Sequence, residues 1–269
     1  MKIYIVACIY DVDLDYLNAW VSTTFPKHEV QLIAINNNVK KQFKSGENLL
    51  IGSNSLYEFS AYYEGLKKVI MDPLYDNEVV LVINDTLFTK HNSEFFTNQL
   101  MKNLGIISRT KLPAIAGRLD CYNNICYKNP WSGLNGYISS FGMLINKAAI
   151  DIYLESIEKI DEYFPFKNSV LNFLNWNCDV DKDIREFIIS HLSDVEISTT
   201  WYQVKEHIKN NERLNVKGKC VFLEHFVSGM IAKEGIMVSI FPTWRLKTMN
   251  FLFEQLAKVK RKIMLNRVF

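Results

Sequence analysis

The sequence predicts an α/β protein, a sheet of mainly parallel strands covered by helices and followed by a helical extension. Three features carry that reading. Apolar strand-like runs alternate with amphipathic helical stretches through the first half of the chain, the pattern that builds parallel sheets through crossover helices. Val79-Val80-Leu81-Val82-Ile83 is short, β-branched and apolar on both faces, as a strand sandwiched between helices must be. Beyond residue 165 the patterning turns mainly helical, and no repeat, low-complexity segment or Gly/Ser linker divides the chain.

Taken in order, residues 2–10 predict a buried first strand, and Asp13 the N-cap of a helix carrying Leu14, Leu17 and Val21. Val30 to Ile35 predicts a second strand, ending in Asn36-Asn37-Asn38. Ser55, with Glu58 three residues on, forms a capping box. The helix that follows aligns Phe59, Tyr62, Leu66 and Val69 on one face. It is expected to stop before Pro73, because a residue preceding proline disfavours the α region. The apolar strand at 79–83 then runs into Asn84-Asp85-Thr86. A helix over 93–104, strands over 113–117 and 137–146, and a helix over about 147–160 come next. The last helices are expected over 220–234 and over 248–265, the latter with Leu252, Leu256, Val259 and Ile263 on one stripe. A single domain over 1–245 and a basic amphipathic helix over 246–269 result.

At 269 residues, 48% hydrophobic and 13% aromatic, the chain has ample material for a core, which excludes disorder. A net charge of +2 gives no global nucleic-acid signature, so no nucleic acid is expected as partner. The charge is uneven. From Arg245 to Phe269 there are seven basic residues against one acid, Glu254; that is +6, leaving −4 for the remainder. Such an end suggests an anionic surface as neighbour. Five cysteines, an odd number without a CxxC pair, read as reduced thiols of a cytoplasmic protein. No stretch approaches the ~20 apolar residues that span a bilayer.

The turn after the first strand carries no GxGxxG, and no Walker A loop occurs anywhere, which argues against a dehydrogenase or a P-loop NTPase. Asp85 emerges from the most apolar strand at the sheet edge where open α/β folds bind ligands. A carboxylate there either caps the next turn or holds a cation against a diphosphate. Asp11 lies in the loop after the first strand, where a nucleotide base is often bordered; it also suits a helix start, as do Asp13 and Asp181. Gly65 inside a helix implies a close approach, by the sheet or by a ligand. Trp131, in the turn-rich loop Asn129 to Gly136, is either a loop anchor or a platform for a sugar. Glu224 and His225 follow Cys220 at an expected helix opening, where Glu224 is either a general base or a solvated first-turn acid.

Asn54 to Leu66 (NSLYEFSAYYEGL), followed by a hydrophobic strand ending in NDTLF, resembles a group of bacterial polysaccharide-associated glycosyltransferases, nearest the rhamnan synthesis protein F-like enzymes. The likeness is clearest over Gly52 to Thr89 and continues weakly through 114–120, 136–148 and 224–235, under half of the chain. It implies a GT-A type fold, a Rossmann-like nucleotide-binding sheet merged with an acceptor-binding half. It implies transfer, with inversion, of a sugar from a dTDP, UDP or GDP donor to a growing bacterial surface glycan or lipid-linked acceptor. Asn84-Asp85-Thr86 falls where such folds carry Asp-x-Asp, with an acid at the middle position only, so Asp85 is the implied ligand of Mg²⁺ or Mn²⁺.

Asn54, Glu58 and Tyr62 match the helix bordering the donor, and Asp11, Asn84, Thr86 and Arg118 complete the implied donor site. For Arg118 a phosphate contact and a surface ion pair both remain open. Glu224, or failing that Asp120, is the implied base, and Trp131 and His225 face the acceptor. His225 stands where an Asp is common. The cysteines place the protein in the cytoplasm, and the basic C-terminal helix either holds it at anionic lipid on the inner face of the plasma membrane or packs on the domain through its apolar stripe. The competing reading is a non-catalytic nucleotide-sugar or glycan-binding subunit of a polysaccharide assembly complex.

Overall fold

The computed structural model describes residues 1–38, 40–41, 49–71, 75–122, 128–164, 169–193 and 209–265, with side chains through residue 259. The alternating pattern folds into a mixed open sheet of β1 (Lys2–Ile9), β2 (Glu29–Asn36), β3 (Leu49–Ile51), β4 (Val79–Asn84), β5 (Ala114–Asp120), β6 (Tyr137–Asn146) and β7 (Ile236–Ser239). Their order is β3-β2-β1-β4-β6-β5-β7. β6 runs antiparallel to both neighbours, and every other adjacent pair is parallel. The architecture is Rossmann-like α/β.

Alternation along each strand feeds two apolar layers. Tyr4, Val6 and Cys8 of β1 enter one layer with Val80 and Val82 of β4. That layer is covered by α2 (Glu58–Met71), α6 (Lys147–Glu158), α8 (Lys182–Ser193) and α9 (Asn211–Glu234). Ile3, Ile5 and Ala7 enter the other with Leu81 and Ile83, under α1 (Leu14–Thr24), α4 (Ser93–Met101) and α5 (Leu104–Arg109). Short α3 (Thr86–Thr89) and α7 (Ile160–Tyr163) fill connections, and α10 (Trp244–Leu265) ends the described chain. From β1 the chain winds outward to β2 and β3, then returns to place β4 on the other side of β1. The β1/β4 crevice is therefore a topological switch point, where open α/β sheets bind ligands.

The expected strands and the face of α2 are found: Phe59, Tyr62, Leu66 and Val69 are buried. Pro73 lies outside the described residues, and α2 ends at Met71. Two expectations need correction. The capping box does not form, because Asn54 and Tyr57 take left-handed backbone angles (φ 53° and 47°) and helix α2 begins only at Glu58. The helix expected over 220–234 opens at Asn211, with the Asn210 side chain accepting from Arg213 N–H. Gly218 does not interrupt it; a Cβ there would lie 2.6 Å from Val170 Cγ2, so glycine marks close packing. For the stripe of α10, where packing on the domain and attachment to lipid were both open, Leu252, Leu256 and Val259 are exposed and do not pack on the domain. β3 and β7, three and four residues long, carried too little pattern to be read.

Asp13 occupies the N-cap position of α1, but its carboxylate pairs with Lys41 Nζ at 2.7 Å instead of an N–H of the helix. Asp181 does cap α8, accepting from Asp183 N–H at 2.8 Å. Gly65 is explained by helix-on-sheet packing: an added Cβ would meet Val6 Cγ1 at 2.3 Å and Ile35 Cδ1 at 2.9 Å. Gly65→Ala is expected to destabilise the protein by about 1–3 kcal/mol, although alanine is the better helix former. Urea unfolding measures this, and a neutral or stabilising substitution would refute the close approach. Among the described residues, no helix is long and apolar enough to cross a membrane.

Candidate functional site

Two neighbouring polar regions lie at the carboxyl edge of the sheet. The first is the β1/β4 crevice. Asp85 Oδ2 accepts three backbone N–H groups from the loop after β1: Tyr10 at 2.9 Å, Asp11 at 2.5 Å and Val12 at 3.1 Å. Its Oδ1 is buried without a hydrogen-bond partner among the described residues. Burial pushes the carboxyl above the usual range, and the three N–H groups only partly offset this. Asn84 Oδ1 accepts from Thr86 N–H at 2.9 Å, turning the chain into α3. The Asp11 side chain is exposed, and its carbonyl accepts from Lys41 Nζ at 2.6 Å. Tyr10 donates its hydroxyl to Asn54 Oδ1 at 2.5 Å, tying this loop to the segment before α2. Asn38 and Asn37 extend the polar lining, donating to the carbonyls of Tyr10 and Tyr57. Left-handed Asn54 and Tyr57 each store roughly 1–3 kcal/mol of backbone strain.

At Asp85 only one carboxylate oxygen is left to a divalent cation. Oδ2 already takes three N–H donors, whereas Oδ1 has no partner among the described residues. Among the described residues, no group of three His, Cys, Asp or Glu converges there or elsewhere.

The second region is built around Ser140 of β6. Its N–H donates to Glu224 Oε1 at 2.6 Å and its hydroxyl to Glu58 Oε1 at 3.3 Å, while its carbonyl accepts from the Tyr62 hydroxyl at 2.9 Å. Ser139 donates its hydroxyl to Asp120 Oδ2, which also accepts from Arg118 Nη2 at 2.9 Å. Tyr62 is fully buried and supports the strand from beneath. Asp120, Tyr137, Phe187, Lys217, Glu224 and His225 line an adjoining cavity of about 360 Å³, within the size range of small-ligand sites. Lys217 and Glu224, seven residues apart on α9, share one helix face.

Burial raises the Glu224 carboxyl to about 7. The Ser140 N–H and the Lys217 cation oppose the rise, and the charges of Asp120 and Glu58 reinforce it. Lys217 is raised as well: burial works against its charge, but Glu58, Cys220 and Glu224 outweigh it. His225 lies buried at the cavity floor with Nδ1 2.9 Å from the Tyr122 hydroxyl. Burial, with His191 adding to it, lowers His225 to about 3, so its ring is neutral at physiological pH. Arg118 reaches from Asp120 to Glu254 of α10 (3.7 Å) and lies over the Phe141 ring, with its Nε unpartnered among the described residues.

The structure thus brings Asp120, Glu224 and His225 to one cavity, with Glu58 joined to Glu224 through Ser140 and Arg118 joined to Asp120, and sets Asp11, Asn54, Asn84, Asp85 and Thr86 at the neighbouring crevice. Trp131 stands apart, edge-on against Phe222 and Phe226 as a loop anchor. Glu224 is not a first-turn acid but lies deep within α9, which is why it is desolvated. Ser140, Lys217 and Tyr10 were missed. The serine pair in an otherwise apolar strand was the available signal for Ser140, and the seven-residue spacing to Glu224 was that for Lys217. A larger cavity of about 510 Å³, lined by Arg109, Lys111, Lys147 and Asp151 among others, opens at the opposite edge of the sheet. It lies away from the switch point. Compared with known protein families and with curated proteins, the chain matches none.

Proposed function

We propose that this protein is a glycosyltransferase of GT-A type, moving a sugar from a nucleotide-diphosphate donor to a glycan or lipid-linked acceptor with inversion. The observation that carries the reading is Glu224: a carboxyl held near neutral pKa beside a ligand-sized cavity, next to the switch-point crevice. A general base works best when its pKa lies near the working pH. A parallel half, β3-β2-β1-β4, continuous with a mixed half, β6-β5-β7, supports the merger of donor and acceptor halves that the sequence resemblance implies.

In this reading the donor base and ribose occupy the crevice of Tyr10, Asp11 and Asn54, and the sugar projects toward Glu224. The acceptor hydroxyl gives its proton to Glu224 as its oxygen bonds to the anomeric carbon. The bond from that carbon to the diphosphate breaks, and the electron pair leaves with the diphosphate. Lys217 and the unpartnered Nε of Arg118 supply positive charge toward the leaving group. Asp120, held by Arg118 and Ser139, orients the guanidinium.

The test is a thermal-shift screen of UDP, dTDP and GDP sugars, each with and without Mn²⁺, followed by an assay of nucleoside diphosphate release with a polysaccharide acceptor. One donor class is expected to raise the melting temperature, since a ligand at about 100 times its Kd stabilises by about 2.7 kcal/mol. Turnover is expected to rise with pH through about 7 as Glu224 loses its proton. Binding without any release would leave the non-catalytic subunit, and binding of no nucleotide sugar would sink both readings.

A further inference from the structure

We propose that α10 docks on an anionic lipid surface, through an apolar face that the fold leaves outward and basic residues that flank it. The helix is attached to the domain by one side only. Phe253 packs against Phe95 with ring centroids 4.7 Å apart, Leu246 joins the apolar layer beneath, and Glu254 meets His91 at 2.7 Å. On the other side Leu252, Leu256 and Val259, spaced four and three residues apart, share a helical face. They are 54%, 63% and 57% exposed. Trp244, at the start of the helix, is 82% exposed.

Leucines left outward in a row are costly in water, and their spacing demands a cover. Charge selects the cover. Arg245, Lys247 and Lys258 are exposed, and the sequence continues with Lys260, Arg261, Lys262 and Arg267. The single acid of this stretch, Glu254, faces inward, hydrogen-bonded to His91 and paired with Arg118 at 3.7 Å. Arg245, Lys247 and Lys258 thus accompany the apolar face as exposed cations, and the sequence over 245–269 totals +6 against −4 for the remainder. A second copy of so basic a helix would be repelled, whereas an anionic bilayer accepts both features. A basic amphipathic helix lies in the headgroup plane with its apolar face immersed, and each Lys or Arg near the surface adds attraction that salt weakens. The Glu254–Arg118 contact joins this helix to Asp120, so a docked helix would set the cavity near the membrane plane. The docking itself stands independently of the transferase reading, because it is measured without activity.

The experiment is co-sedimentation of the full chain with vesicles of phosphatidylcholine containing about one third phosphatidylglycerol, beside vesicles of phosphatidylcholine alone. The chain is expected to pellet with the anionic vesicles at low salt and to stay in solution with the neutral ones. Leu252→Gln with Leu256→Gln, at exposed positions that leave the melting temperature unchanged, is expected to weaken partitioning at least about tenfold. Equal pelleting of that variant, or no pelleting of the wild type, would overturn the proposal. So would a wild-type dimer in analytical ultracentrifugation that the same double substitution dissociates, which would make the face a self-interface.

Discussion

Replacing Glu224 with glutamine is expected to slow sugar transfer by about 10²–10⁴-fold, the usual worth of a general base, while making the protein more stable above neutral pH. Glutamine keeps an oxygen for the Ser140 N–H, which now reaches Glu224 Oε1 at 2.6 Å, so the local geometry survives. The stability gain follows from the raised pKa. Glu224 titrates near 7 in the folded protein against 4.5 when unperturbed. Between those values the folded state holds a proton that the unfolded chain releases, so the wild type loses stability as pH rises toward 7. Above pH 7 the full cost of the buried charge is present, about 3 kcal/mol from the size of the shift. Glutamine carries no such charge but leaves Lys217 less well paired, so the net gain is about 1–3 kcal/mol, a few degrees in melting temperature. Near pH 5 the two proteins should melt alike. Paired melting curves at pH 5 and pH 8 measure this. A variant that keeps transfer within about threefold of wild type would remove Glu224 from the mechanism, and one less stable at pH 8 would contradict its desolvation.

Asp85→Ala is expected to cost about 3–5 kcal/mol of stability, because three backbone N–H groups lose one carboxylate acceptor together. For a chain of this size that lowers the melting temperature by roughly 10 °C. Asp85→Asn keeps one acceptor oxygen but lacks the charge, and its amide would occupy the place of Oδ1, which has no partner among the described residues. It should fall between alanine and wild type. The three N–H contacts make any loss of donor binding in Asp85→Asn inseparable from release of the loop at 10–12. Thermal and urea unfolding separate the outcomes. Wild-type stability in Asp85→Ala would show that the loop holds itself, and would return Asp85 to a ligand-facing role.

Much of the fold was legible because period and burial are local. Val79 to Ile83 is apolar throughout, and its strand is covered on both faces. Tyr137 to Asn146 was read to its exact ends. The misreadings have physical causes. The Ser55/Glu58 spacing is a sound cap signal, but Tyr10 captures Asn54 and a left-handed Tyr57 delays the helix. The helix expected from 220 opens at Asn211, where Asn210 caps it and Gly218 packs against Val170 without interrupting it. The stripe of α10, by contrast, left two readings open, and attachment through Phe253 and Glu254 turns that face outward.

The sequence by itself determined the α/β class, the most buried strand, the polar triplet at its end and the basic amphipathic tail. Only the tertiary structure decided what those acids do. Ser140 and Glu224 stand 84 residues apart, and Asp85 and Tyr10 stand 75 apart, so no local spacing encodes either pairing. Strand order brings them together, and the chemistry of a carboxylate is set by what surrounds it. Three N–H groups make Asp85 an anchor for the loop after β1, and burial beside a cavity makes Glu224 a group that titrates at neutral pH.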